Sequence, residues 1–212
     1  MKTDDLIEAL VQDAPRPQRS TATRVLGAAV LGVLVAGTLF ALSLGVRPDI
    51  GAALETWRFV FKLMLALICV TCASWACLQL ARPEVRLKDV AGWIAVPLAL
   101  LALAVLYELA AMPPTHWYDL AAGRYARTCL SAIPSLSIVP LAALLIALRA
   151  GAPQSPATAG AIAGLLAGGL SAALYATHCP DDSPLFVAVW YTLAVGLVTV
   201  TGALAGRWVL RW

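Results

Sequence analysis

Hydrophobic and polar positions alternate along this chain in long blocks. Six apolar runs, each near span length, are separated by short polar connections. A helix needs about 20 apolar residues to cross the hydrocarbon core of a bilayer. The pattern predicts spans over residues 24–45, 58–80, 90–111, 129–148, 157–177 and 185–208. Ahead of them the rhythm differs. Leu6, Ile7, Leu10 and Val11 recur at i, i+1, i+4 and i+5, which predicts one apolar face on a short helix. Thr3 is its expected N-cap, Asp4 and Asp5 lie where the helix dipole favours negative charge, and Pro15 and Pro17 end it. A helix this short is marginal alone in water, so it is expected to fold against a partner or the bilayer surface. The predicted fold class is an all-α membrane protein. Six transmembrane helices occupy residues 24–212, and a short N-terminal cytoplasmic amphipathic helix lies within residues 1–23.

Composition supports this reading. Hydrophobic residues make up 61 % of the chain and charged residues 13 %, against roughly a quarter charged in soluble domains. Too few charges are present to cover a water-soluble globule, so membrane lipid is the expected surrounding. The first apolar run is span-length, and no cleavable leader is expected. Nothing resembles a basic nucleic-acid stripe, so no direct nucleic-acid contact is expected. Of the 15 Lys and Arg residues, ten (Lys2, Arg16, Arg19, Arg24, Arg82, Arg86, Lys88, Arg149, Arg207 and Arg211) share the side of the N-terminus. Arg47, Arg58, Lys62, Arg124 and Arg127 share the other. The positive-inside rule then predicts both termini in the cytoplasm. Trp75, Trp93, Trp208 and Trp212 fall near the inner interface, and Trp57 and Trp117 near the outer one, as an aromatic belt requires.

Polar residues within the spans are few. Lys62 and Glu108 lie at similar depth, each about one turn inside the outer end of consecutive spans, and are expected to form an intramembrane ion pair. Pro97, Pro134 and Pro140 each remove a backbone hydrogen bond that neighbouring helices must compensate. Gly160, Gly164 and Gly168 share one helix face and predict close backbone approach to another span. Cys69, Cys72 and Cys77 lie in the second span and are expected to be small buried thiols. Cys129 and Cys179 stand at the outer ends of the fourth and fifth spans, where an oxidant or a soft metal ion is expected to reach them. The spacing leaves three outcomes open: a disulfide, two unrelated thiols, or a metal site built from Cys129, Cys179, His116 and His178. No resident cofactor is expected, and a soft metal ion would act as a signal. The sequence has no HExxH, no GxSxG, no phosphate-cradling glycine loop and no apolar carboxylate pair, so no enzyme is expected. A small transporter would need a polar path across the bilayer. A membrane thiol-disulfide protein would need an outer Cys-x-x-Cys, and the sequence offers little for either.

Several pieces together resemble a known family. They are the opening Met1-Lys2-Thr3-Asp4-Asp5-Leu6-Ile7-Glu8-Ala9-Leu10, the proline pair after it, and Cys129-Leu130-x-x-Ile133-Pro134. With them go His178-Cys179-Pro180-Asp181-Asp182-Ser183-Pro184 and Trp190-Tyr191. Over nearly its whole length the chain resembles the NrsF-like bacterial membrane proteins, anti-sigma factors of extracytoplasmic-function (ECF) sigma factors. The resemblance implies an inner-membrane regulator whose cytoplasmic N-terminal segment helps hold an ECF sigma factor, and the apolar face of Leu6, Ile7, Leu10 and Val11 is the expected contact. Because that segment is short, the inner loop 82–89 is expected to share the contact. The resemblance also implies that Cys129 and Cys179 take part in the response to metal or oxidative stress.

Overall fold

The apolar runs fold as helices throughout. The computed structural model describes residues 21–82, 85–151 and 153–211. In chain order the helices are α1 (Thr21–Ser43), α2 (Ile50–Leu54), α3 (Trp57–Leu80), α4 (Leu87–Ala111), α5 (Trp117–Ala122), α6 (Ala126–Leu148), α7 (Pro156–Ala176) and α8 (Pro184–Val209). Among the described residues six helices, α1, α3, α4, α6, α7 and α8, are long and apolar enough to cross a membrane. The apolar stripe Leu6, Ile7, Leu10 and Val11 lies outside the described residues.

The starts of the spans follow from local chemistry. Ser155 Oγ accepts from Thr158 N at 3.4 Å, and Pro156 occupies the first turn of α7. Ser183 Oγ accepts from Leu185 N at 3.2 Å, and Pro184 opens α8 in the same way. Both follow the preference for a hydroxyl cap before a proline that has no N–H to leave unpaired. The backbone N–H of Arg86 donates to Asp89 Oδ2 at 2.9 Å at the start of α4. Helix α8 contains a wider π-turn over Val187–Tyr191, which no hydrophobic pattern announces.

Helix α7 is the central element. Of its apolar window 61 % is buried, against 22 % for α1 and for α4. It packs on α8, α3 and α6, while α1 lies on α6 and α4 on α3. Composition explains this place: α7 is built largely of Gly and Ala, and in lipid the gain from helix association comes from close packing. The glycine face predicted from spacing meets a matching one on α8. A Cβ at Gly160 would fall on the carbonyl oxygen of Gly202 and lie 2.8 Å from Gly206 Cα. A Cβ at Gly164 would lie 2.5 Å from the carbonyl oxygen of Val198. The two backbones therefore touch. On the other side of the bundle Gly32 of α1 seats Pro140 of α6, whose Cα would be 2.8 Å from an added Cβ.

Large apolar side chains such as Leu34, Leu98, Leu103, Ile138, Ile146 and Leu204 point outward, as a lipid-facing surface requires. The interior divides into two clusters. One, toward the chain termini, includes Val25, Cys77, Leu144, Leu148, Ile162, Leu166 and Leu210. The other lies toward the opposite end and includes Leu65, Cys129, Ile133, Tyr175, Cys179, Phe186 and Tyr191.

Candidate functional site

At that opposite end three connections meet: α1 to α3, α4 to α6, and α7 to α8. The shortest of them, residues 177–183, organises the others. His178 Nδ1 lies 2.9 Å from the carbonyl oxygen of Gly45, in the first connection. The backbone N–H of Arg47 donates to the carbonyl of Thr177 at 3.0 Å. Lys62 of α3 donates through Nζ to the Cys179 carbonyl at 2.7 Å and to Asp182 Oδ1. Arg47 Nη1 donates to the other oxygen of Asp182 at 2.8 Å. Asp181 Oδ2 accepts the backbone N–H groups of Arg124 and Tyr125 at 2.9 and 2.8 Å, so it caps the start of α6. Ser183 Oγ donates to Glu108 Oε1 of α4 at 3.4 Å. Through six of its seven residues the loop is thus tied to α3, α4, the start of α6 and the connection after α1.

The remaining fit is steric. Gly123 has φ 57°, in the left-handed region that favours glycine, and a Cβ there would lie 2.7 Å from Asp181 Oδ2 and strike the Phe186 ring. Trp190 Nε1 donates to the carbonyl of Ala121 at 2.9 Å, which fixes α5 on α8. Phe59, fully buried, lies under both cations: Arg47 and Lys62 sit 5.8 and 5.5 Å from its ring centroid. Asp49 forms two hydrogen bonds with Arg47, which hold its carboxyl at about 2, below the ordinary carboxylate range.

The ion pair expected between Lys62 and Glu108 is replaced by two others. Lys62 pairs with Asp182, and Glu108 pairs with Arg58 at 2.8 Å. The physical reason is reach. Loop 177–183 folds back over the bundle and presents Asp182 to Lys62, while Arg58, one turn before Lys62 on α3, takes Glu108. Each fully buried charge still has a counter-charge, as burial demands.

The four-residue metal set is likewise not assembled. Among the described residues no group of three or more His, Cys, Asp and Glu side chains is disposed to hold a metal ion. His116 sits exposed in a 3-10 turn over Pro114–His116. His178 is held by the Gly45 carbonyl and by the rings of Phe40, Tyr125 and Tyr175.

Cys129 and Cys179 do come together in one cluster, both as free thiols. Neither is open to the outside as its place in the sequence suggested, because both are fully buried. Burial pushes the Cys179 thiol up from its ordinary value, and the Lys62 ammonium acts against that shift. Cys69, Cys72 and Cys77 are free thiols within α3, Cys72 and Cys77 buried. Cys69 lines a lateral cleft of about 340 Å³ with Leu65, Pro97, Leu101 and Val195. Most of the cleft's lining is apolar, with Lys62, Tyr191, Thr192 and Thr199 as its polar members.

Sequence reasoning missed Arg47, Arg58 and Asp182 as partners. One signal was available: Arg58 and Lys62 are four residues apart, so they share a helix face and call for two anions.

The loop and the two thiols coincide with the stretches that carry the family resemblance. The sequence model of the NrsF family, described as negative regulator of sigma F, matches residues 10–212. The chain belongs to this family. The anti-sigma-F factor NrsF of Caulobacter vibrioides is 37 % identical over 221 residues, with 100 % of both chains covered. The probable anti-sigma-F factor NrsF of Azospira oryzae is 31 % identical over 213 residues, again across 100 % of both. No solved structure matches the chain. Membership in the NrsF family makes this a multi-pass membrane anti-sigma factor, a regulator of transcription whose partner is a sigma factor.

Proposed function

We propose that this protein holds an ECF sigma factor at the bacterial inner membrane and releases it under thiol-reactive stress sensed at Cys129 and Cys179. Both termini lie in the cytoplasm in this reading, and the connection rich in Asp and Arg faces the periplasm. The partner docks on the apolar face of Leu6, Ile7, Leu10 and Val11, with loop 82–89 sharing the contact. The observation that carries the reading is the loop 177–183. It contains Cys179, which packs in one buried cluster with Cys129, and it bonds to α3, α4 and the start of α6 at once. A chemical change at either sulfur, by an oxidant or a thiol-binding metal ion, disturbs the packing under this loop. Release then follows only if the change alters the relative stability of bound and free states.

The test is co-purification of the sigma factor from bacterial membranes, with sigma-dependent transcription as a second readout. Leu6→Asp with Leu10→Asp is expected to release the partner while membrane insertion is unchanged. Cys129→Ser with Cys179→Ser is expected to keep the partner bound and abolish induction. Normal induction in the double-serine protein would remove the cysteines from the mechanism. Unchanged transcription in the double-aspartate protein would leave the N-terminal stripe resting on lipid.

A further inference from the structure

Beneath loop 177–183 the charged network gives way to a cluster with an unusual hydrogen-bond balance. Cys129 and Cys179 lie there with Tyr175, which is fully buried, and Tyr191, which is 5 % exposed. The two tyrosine rings are 5.9 Å apart between centroids. Neither phenolic hydroxyl has a hydrogen-bond partner among the described residues, and both tyrosines share this cluster with the Cys179 sulfur. A thiol is a weak acceptor, whereas a phenol is a good donor. Two good donors are therefore left unpaired in a cluster whose sulfurs are poor acceptors, although buried polar groups are nearly always satisfied. The turn that sets Tyr191 is the π-turn Val187–Tyr191, a local feature that recurs at functional sites. An acceptor is missing in the thiol state and would be supplied if the sulfur gained an oxygen.

We propose that Cys179 is an oxidation site at which a peroxide installs a sulfenic acid, and that Tyr175 and Tyr191 donate hydrogen bonds to the new oxygen. The inference rests on the reading of these cysteines as the sensor and names its chemistry. The sulfur attacks one peroxide oxygen. The S–O bond forms as the O–O bond breaks, the sulfur loses two electrons, and the other oxygen leaves as water with the thiol proton. In sum, RSH and HOOH give RSOH and H2O. The thiolate is the attacking form. Burial disfavours it, while Lys62, whose ammonium donates to the Cys179 carbonyl at 2.7 Å, favours it. The reagent approaches from the outer cleft of about 330 Å³, which is walled by Pro180 and Asp181, the residues that follow Cys179. Cys129, in the same cluster, would consume the product by condensing to a disulfide with loss of water.

The test removes that second step. Cys129→Ser protein in lipid nanodiscs is treated with hydrogen peroxide and then with dimedone, and adducts are mapped by mass spectrometry. We expect an adduct on Cys179. Adding Tyr175→Phe and Tyr191→Phe, which keep both rings, is expected to lower its yield at least fivefold at equal folded fraction. Tyr191→Phe alone, expected to lower the yield at least twofold, serves if the combined variant does not fold. Folded protein with no adduct on Cys179, or an adduct indifferent to the tyrosine changes, overturns the proposal. Co-purification of the sigma factor is scored separately. An adduct that forms without releasing the partner would sink the sensing role and leave the oxidation site standing.

Discussion

Lys62 offers the sharpest energetic test of the charged network. Its ammonium is fully buried and has three partners: Asp182, the Cys179 carbonyl at 2.7 Å and the Asp181 carbonyl at 3.5 Å. Lys62→Met keeps the apolar stem and removes the charge. It leaves the Cys179 carbonyl with only Arg47 Nη1 at 3.5 Å, the Asp181 carbonyl with only the Cys179 thiol at 4.0 Å, and Asp182 with Arg47 alone. Removing one partner of a buried pair costs about 3–5 kcal/mol. Arg47 still neutralises Asp182, so we expect the low end, about 3 kcal/mol. Asp182→Asn leaves Lys62 its carbonyl partners and costs less. The decisive quantity is the coupling in a double-mutant cycle, because directly interacting residues show about 0.5–3 kcal/mol of non-additivity. We expect about 2 kcal/mol between Lys62→Met and Asp182→Asn, at the upper side of that range because the pair is buried. Lys62→Met and Glu108→Gln should be additive within about 0.5 kcal/mol, since Glu108 pairs with Arg58. The assay is reversible unfolding in mixed micelles, followed by far-UV circular dichroism. Strong coupling of Lys62 to Glu108, with additivity toward Asp182, would refute the assignment.

Three further outcomes follow from the packing and the loop. Gly160→Ala should cost more than about 2 kcal/mol, because its Cβ meets the α8 backbone, which cannot yield as a side chain can. Gly196→Ala, with open space around its Cβ, should be neutral or stabilise by up to about 1 kcal/mol, and equal effects in the same unfolding assay would refute the close contact. The Asp49 carboxyl should titrate near 2 by carbon-13 NMR instead of at the ordinary 3.8. A depressed carboxylate contributes stability above its unfolded value, so this contribution should disappear only as pH falls from about 4 toward 2. Gly123→Ala should be poorly folded, since it combines a positive φ with a clash against Phe186, and recovery in a Phe186→Ala background would separate the clash from the backbone strain.

The spans were legible because length and absence of charge are enough to define them. Where the described residues show both sides of a boundary, predicted and observed positions differ by three residues or fewer, as at 90 against Leu87 and 129 against Ala126. The glycine face of α7 was legible as a close-contact surface, but its partner was not. Gly202 and Gly206 on α8 are also four apart, yet spacing on one helix cannot say which other helix it meets. The charged residues were legible only as a need for counter-charge. Depth in the membrane put Lys62 beside Glu108. What decides the pairing is how residues 177–183 fold back, and that depends on contacts from four separate stretches. The exposure of Cys129 and Cys179 was misread for the same reason. A residue at a helix end is open only if nothing packs over it, and here both thiols lie in one buried cluster.

The backbone contact between α7 and α8 has a mechanical consequence. Two helices that touch at Gly160 and Gly202, with no side chains between them, have little room to slide or splay. Joined at one end by loop 177–183, they form a stiff double rod. Helix α7 has 21 residues, so the rod is about 30 Å long, comparable to the hydrocarbon thickness. A tilt imposed at the loop would reach the far end undamped, at Pro156 and Gly206, with no need for a relay of side-chain rearrangements. Spin labels at Ala157 and Arg207 should then keep a constant separation across all states of the protein, while their distance to a label on α1 or α4 changes. A variable separation within the pair would show that the rod bends.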